Sequence, residues 1–193
     1  MRKKLFTNCS IVNVIDKTVT PGSILTEDGV ITQVGDCPCA DGDAEVIDLN
    51  GGYVMPGLFN CHTHICMPPD PAVNYNRTDC QVTLLALDHL RQHLSTGVTF
   101  IRDVGGFNYI DIDLRNAARA GKITAPDMVV SGKCICMTGG HGWQMGREAD
   151  GADDCRKAAR EQLKAGADWI KVMGTGGVMT EGVEPGSPQL DEE

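Results

Sequence analysis

The stretch CQVTLLALDHLRQHLSTGVTFIRDVGG, residues 80–106, contains one complete unit of the predicted fold. Its first part predicts a helix, because Leu87, Leu90 and Leu94 recur at helical spacing before a Thr-Gly stop signal. Its second part, VTFIRDVGG, predicts a short buried strand that ends in a polar residue and glycines. The stretch therefore indicates a helix that leads directly into a strand and a glycine-rich loop.

The same unit recurs twice further along the chain. YIDIDLRNAARAG (109–121) predicts a helix before the strand DMVVSGKCI (127–135), and DDCRKAAREQLKAG (153–166) predicts a helix before the strand DWIKVMGTGG (168–177). Strands that alternate with helices of this length pair in parallel through crossover connections. The sequence therefore predicts an α/β fold with a parallel sheet.

The first part of the chain has a different sequence pattern, which predicts strands rather than alternating helices and strands. Residues 1–55 read as strands, and Asp28-Gly29 between two β-rich runs is a hairpin signal. We predict a small β-sandwich module over 1–55, and the α/β part over 56–193.

Composition excludes some classes of function. The net charge of −9 and the pI of about 4.9 argue against nucleic-acid binding, which needs clustered Lys and Arg. The first ten residues, MRKKLFTNCS, have no apolar stretch behind them, so neither a secretory signal nor a membrane span is predicted there. An odd count of nine cysteines without a signal favours reduced thiols. We expect a cytoplasmic protein that binds neither nucleic acid nor membrane.

Two pairs of cysteines at C-x-C spacing could each be half of a zinc site. They are Cys37/Cys39 and Cys134/Cys136. Structural zinc sites usually separate paired cysteines by roughly two to four residues, so we interpret both pairs as ordinary thiols.

Polar residues stand at predicted strand ends, where parallel α/β barrels carry their ligand-binding residues. They are His62, His64, Asp103, His141 and Lys171. His62 and His64 alternate along a strand, so both should project to the same side, and neutral imidazole is a good ligand for zinc. By spacing alone the pair is either a set of metal ligands or two neighbouring imidazoles on a turn.

A second histidine pair, His89 and His93, has the i, i+4 spacing that lets one helix face hold a metal. The metalloprotease motif also needs Glu directly after the first histidine, and here Leu90 follows. We interpret this pair as a solvated helix face.

Lys171 interrupts an apolar run in which Trp169, Ile170 and Val172 are predicted to be buried. An ammonium group has no lone pair for a metal. Carboxylation of its nitrogen by carbon dioxide would make it a carbamate, which is an anionic oxygen ligand that can bridge two cations. The alternative is a lysine with a buried stem whose head pairs with a carboxylate such as Asp103.

Four motifs together resemble the amidohydrolase superfamily, in its binuclear, carboxylated-lysine branch and close to the prolidase-like Xaa-Pro dipeptidases. In chain order they are VMPGLFNCHTHI, TGVTFIRDVGG, MTGGHG and GADWIKVMGTGGV. The resemblance covers nearly the whole chain and implies an incomplete TIM-type (β/α)8 barrel of about four βα units.

The resemblance also implies roles for four residues. His62 and His64 would ligate one of two divalent ions, expected to be zinc, and Lys171 would bridge both ions as a carbamate made from carbon dioxide. His141, in the GGHG loop, would lie near the substrate as a catalytic residue, with backbone anchoring as its alternative.

The activity that the resemblance implies is hydrolysis of an amide bond in a small-molecule substrate, a dipeptide or an N-acyl amino acid, by a metal-bridging hydroxide. Two further histidine ligands and an aspartate are expected beyond residue 193. We therefore expect an N-terminal half that is inactive alone and forms a homo-oligomer or pairs with the missing half. The alternatives are a mononuclear cyclic-amide hydrolase resembling imidazolonepropionase, and a non-catalytic fragment.

Overall fold

The computed structural model describes residues 2–37, 44–68, 77–178 and 180–191. The chain divides into two compact units, Met1–Pro56 and Gly57–Glu193. Within the described ranges, no helix is long and apolar enough to span a membrane.

In its described residues, the first unit contains four strands in one sheet of order β3-β2-β1-β4. They are β1 (Lys3–Asn13), β2 (Thr18–Glu27), β3 (Val30–Gly35) and β4 (Ala44–Val54). β2 pairs antiparallel with β1 and β3, whereas β4 runs parallel to β1. The hairpin predicted at Asp28-Gly29 is confirmed, since both residues have positive φ (49° and 84°) and join β2 to β3. The described strands of this unit form a single sheet, so the sandwich itself remains a prediction.

The second unit alternates strands with helices. Its elements are β5 (Leu58–Thr63), α1 (Asp79–Ser95), β6 (Val98–Asp103), α2 (Ile110–Arg119), β7 (Asp127–Val129), β8 (Ile135–Cys136), β9 (Arg147–Glu148) and α3 (Gly151–Ala165). β5, β6 and β7 form a parallel sheet in that order, and β8 pairs in parallel with β9. The predicted α/β fold is confirmed, whereas its description as an incomplete TIM-type barrel of about four βα units remains a prediction.

Helix α1 begins at a capping box. The Thr78 hydroxyl accepts from the backbone N–H of Gln81 at 3.3 Å, and the Gln81 side chain accepts from the backbone N–H of Thr78 at 3.0 Å. The helix buries a stripe at i, i+4 and i+8, which consists of Val82, Ala86 and Leu90. This stripe joins the main core with Ile101 of β6 and Met128 of β7, so α1 and α2 pack on the sheet and fix its strand ends.

Two of the predicted strands are wrong in extent. The run 127–135 divides into β7 and β8, because Gly132 between them has a φ of +68°, which extended backbone does not allow. The run 168–177 forms one parallel bridge, between Val172 and Ile135, because β8 offers only two residues to pair with.

The burial predicted around Lys171 is also wrong. Trp169 and Ile170 are half-buried, and Val172 is 53% exposed. The parallel bridge at Val172 leaves this part of the segment uncovered on one side, whereas Thr175 further along forms an antiparallel bridge with Pro188.

A partly buried ion pair holds the turn that precedes Lys171. Arg115 of α2 donates from Nη1 to Asp168 Oδ2 at 2.6 Å and to the Gly166 carbonyl at 2.9 Å. The same Asp168 oxygen accepts from the backbone N–H of Val130 at 2.9 Å. Burial raises the pKa of Asp168, but the Val130 amide and the Arg115 guanidinium outweigh it and hold that pKa below its ordinary value.

The described cysteines are all free thiols. Cys134 and Cys136 are buried in a small cluster with Met145 and Met173, and Cys37 is buried in the first unit. Cys39 lies outside the described residues.

Candidate metal centre

His62 and His64 lie side by side at the carboxyl end of β5. Their ring centroids are 5.6 Å apart, with ring planes at 66°. The Thr63 hydroxyl between them lies 3.3 Å from His93 Nε2 of α1, on the side of the strand that faces the helix. The strand therefore presents two imidazoles together, as its alternation requires.

The surroundings of His64 select one tautomer. Its Nδ1 lies 3.0 Å from the carbonyl oxygen of Gly105, and a carbonyl can only accept, so Nδ1 carries the hydrogen and donates it. Nε2 is then left with a free lone pair. Burial lowers the pKa of His64, the Gly105 carbonyl opposes this, and the nearby charges of His62, Lys171 and His141 lower the pKa further. His64 is therefore a neutral imidazole at neutral pH, the form that binds metals.

Asp103 ends β6 directly behind this histidine and is fully buried. Its Oδ2 accepts from the backbone N–H of Ile65 at 2.7 Å, and its Oδ1 accepts from that of Gly105 at 3.1 Å. Burial and the neighbouring Asp111 raise the pKa of Asp103, while these two amides oppose the rise. Over the described ranges no ion pair joins Asp103 to Lys171, which does not support the alternative that the lysine head is paired there.

Lys171 directly precedes the residue that bridges β8, Val172. Ile135 N–H donates to the Lys171 carbonyl, and Met173 N–H donates to the Ile135 carbonyl, both at 2.8 Å. Extended backbone places Lys171 and Met173 on one side of this segment, since they are two residues apart. The charge of Lys171 lowers the pKa of both His64 and His141.

His141 is held from two sides. Its Nδ1 lies 3.2 Å from Thr180 Oγ1, and its backbone N–H donates to Gln189 Oε1 at 2.9 Å. A Cβ on Gly177 would overlap the imidazole ring, so the ring lies flat against this glycine. Burial and the charge of Lys171 lower the pKa of His141.

A cavity of about 190 Å³ is lined by both His64 and His141. Beside His64 and His141 its wall consists mainly of thioether and small polar side chains, which are Met67, Met145, Met173, Gln144 and Thr180. The sequence prediction missed the methionines, because apolar residues in a loop do not distinguish a cavity wall from core.

The interpretation of His89 and His93 as a solvated face is wrong, because both are half-buried. His89 Nδ1 donates to the carbonyl of Ile65 at 2.8 Å, and His93 Nε2 contacts the Thr63 hydroxyl. Each histidine follows a buried residue, Ala86 or Leu90, by three positions, so the helical period already placed them on the packed face.

The residues present fit a divalent metal only as a partial ligand set. His62 and His64 offer imidazoles side by side, and the second ring nitrogen of His64 is fixed by a carbonyl, as in metal-binding histidines. In the described part of the chain, no three His, Cys, Asp or Glu side chains come together as a complete site. Among the described residues Lys171 is a further candidate ligand, and only in its carbamate form.

The model of the Amidohydrolase family matches residues 53–193. The chain therefore belongs to the Amidohydrolase family, and its resemblance to the prolidase-like members is confirmed by the structures that it superposes on. A prolidase crystallised with N-methylphosphonate-L-proline superposes with a TM-score of 0.89 at 27% identity, over 98% of this chain and 51% of that one. A second crystal structure, of an amidohydrolase, gives a TM-score of 0.85 at 33% identity, over 98% and 51%.

Among curated proteins, ochratoxinase of Aspergillus niger is 30% identical over 171 residues, which cover 72% of this chain and 35% of the ochratoxinase. The chain thus spans about a third of this relative and about half of the superposed structures.

Proposed function

We propose that this chain carries part of the active site of a metal-dependent hydrolase that cleaves the amide C–N bond of a dipeptide or an N-acyl amino acid. The observation that carries the proposal is the pairing of His62 and His64, with His64 held neutral and its Nε2 free. The names of the similar proteins, prolidase and ochratoxinase, support hydrolysis of an amide-type substrate.

In this proposal His62, His64 and the Lys171 carbamate would supply part of the ligand set for two zinc ions. Carbon dioxide adds to the neutral amine of Lys171, a C–N bond forms, and one proton is released to solvent. The metal pair, when bound, supplies Lewis-acid polarisation of the scissile carbonyl and an activated water.

His141 would bind the carbonyl oxygen of the substrate. The Thr180 hydroxyl accepts from the backbone N–H of Gly142 at 3.2 Å, so its own hydrogen can point to His141 Nδ1. His141 is then the Nε2–H tautomer, which donates a hydrogen bond at the atom left free. The methionine wall beside it excludes water from the reacting bond.

Lys171→Ala tests the binuclear site. Amide hydrolysis and bound zinc would be measured with added zinc and bicarbonate, on this chain and on a chain lengthened to the size of its relatives. We expect the variant to lose one bound ion and activity to fall by at least about 100-fold, because the bridging ligand is removed.

Lys164→Ala, an exposed lysine of α3, is the matched control and should change neither quantity. An unchanged metal count in Lys171→Ala would instead favour the mononuclear cyclic-amide hydrolase. No activity in either wild-type chain would favour the non-catalytic fragment.

A further inference from the structure

Asp103 is a buried carboxylate with no role in the proposed chemistry. It is 0% exposed, and both of its oxygens accept from backbone amides rather than from a cationic side chain. Burial of a carboxylate costs free energy, and this cost must be offset by hydrogen bonds or by an ion pair. The two amides that it binds belong to Ile65, which follows His64 in the chain, and to Gly105, whose carbonyl contacts the His64 ring.

The hydrogen bonds form a closed ring around His64. Asp103 Oδ2 accepts from Ile65 N–H at 2.7 Å, and Ile65 is covalently joined to His64. Asp103 Oδ1 accepts from Gly105 N–H at 3.1 Å, and the Gly105 carbonyl accepts from His64 Nδ1 at 3.0 Å. One carboxylate therefore fixes both the backbone that carries the imidazole and the carbonyl that orients it.

A second set of contacts supports this ring of hydrogen bonds from both sides. Val104 N–H donates to the Thr63 carbonyl at 2.8 Å, so the ends of β5 and β6 cannot slide past each other. Gly105 has a φ of +142°, and a Cβ there would lie 2.9 Å from Met145 Cε and 3.7 Å from His64 Cε1. The Gly105 peptide can therefore face His64 only because its residue lacks a side chain.

We propose that Asp103 is a positioning residue for His64: it holds the Ile65 amide and the Gly105 peptide so that the imidazole is kept as the Nδ1–H tautomer with Nε2 free. The consequence for metal binding rests on the proposed function, whereas the tautomer does not. Only a carboxylate fits this place, because an amide side chain has one accepting oxygen and would turn a donor group toward the second backbone N–H.

The first test is made on the unmodified chain without metal. Long-range ¹H–¹⁵N correlation spectra at neutral pH, with the His64 signals assigned by their loss in His64→Gln, report which ring nitrogen carries the hydrogen. We expect the Nδ1–H form to dominate. A dominant Nε2–H form, or a rapidly exchanging mixture of both, would overturn the proposal without any variant of Asp103.

The second test compares Asp103→Asn with Asp111→Asn. Asp111 is an equally buried neighbour, but it accepts from the backbone N–H of Gly132. It takes no part in the closed ring of hydrogen bonds around His64. We expect Asp103→Asn to mix the His64 tautomers and to weaken Co²⁺ binding, followed by its visible absorption, by about 10- to 100-fold. Asp111→Asn should reduce stability yet leave the tautomer and Co²⁺ affinity within about 2-fold of the unmodified chain.

Equal effects of the two variants on the tautomer and on Co²⁺ affinity would reduce Asp103 to a stabilising residue and overturn the proposal. If Asp103→Asn does not fold, the proposal is still tested by the His64 tautomer of the unmodified chain. The expected tautomer in a chain that binds no Co²⁺ would contradict the proposed function and leave the positioning role of Asp103 intact.

Discussion

At the scale of single residues, the ring of His141 leaves no space for a side chain at position 177. Gly177→Ala should displace the imidazole, shift its NMR signals and destabilise the fold by about 1–3 kcal/mol, because a methyl group is forced into a packed contact. Urea unfolding and histidine spectra would measure both effects.

Gly174→Ala is the matched control, because a Cβ there meets no atom within 4 Å. It should leave the His141 signals unchanged. Wild-type signals and stability in Gly177→Ala would contradict the placement of His141 against Gly177.

His89 provides a second residue-scale prediction. Its donation to the Ile65 carbonyl is the contact that ties α1 to the residue after His64. His89→Ala should lower the free energy of unfolding by about 1–2 kcal/mol, because a partly buried carbonyl loses its donor. Leu84→Ala, a 68% exposed position on the same helix, should change stability little, and equal losses in both variants would contradict this role.

The sequence allowed the alternation of His62 and His64 to be predicted, because two-residue periodicity is a property of any strand. It could not predict that Asp103 joins two amides, because one donor, Ile65, is 38 residues away in the chain and becomes a neighbour only after β5 and β6 pair. The partial burial of His89 and His93 follows from their helical phase, since each lies three positions after a buried residue, Ala86 or Leu90, although both are polar.

At the scale of the elements, Asp168 joins α2, β7 and the turn after α3. Its pKa in the folded chain lies below the unfolded value, so its ion pair stabilises the fold at pH values above about 3.9. That contribution is lost as pH falls through the folded pKa. Asp168→Asn should cost about 1 kcal/mol at pH 7, the low end for a charged hydrogen bond because the carboxylate is partly exposed.

The measurement is urea unfolding between pH 7 and pH 2. The difference between the unmodified chain and Asp168→Asn should shrink toward zero at the acid end. Asp153→Asn, which removes a fully exposed partner of Arg156, should show little difference at any pH. A difference for Asp168→Asn that stayed constant with pH would contradict the ion pair as its source.

Helices α1, α2 and α3 could be predicted from the sequence, because each carries its own periodicity and terminal glycine. The short strands could not, since β8 and the bridge at Val172 depend on partners far along the chain and on the positive φ of Gly132. Lys171 was predicted from its interruption of a buried strand; that burial is wrong, and the role of Lys171 as a metal ligand stays a prediction.

At the scale of the whole molecule, the proposed ligands from this chain are too few to enclose two ions. We expect purified chain, equilibrated with zinc and then dialysed, to retain fewer than two ions per molecule, because histidine pairs and one carbamate leave open coordination positions. Atomic emission measurement against protein concentration gives the ratio. Two ions retained through dialysis would show that ligands other than His62, His64 and Lys171 take part.

The thioethers of Met67, Met145 and Met173 give the cavity a wall with unusual mechanical and chemical properties. Unbranched side chains with three rotatable bonds can rearrange around occupants of different outline at small energetic cost. Peroxide would convert these thioethers to sulfoxides and make the apolar cavity wall polar. Methionine sulfoxide reductases reverse this oxidation. The same methionine side chains would thus let the cavity accept ligands of varied shape and make it sensitive to oxidants.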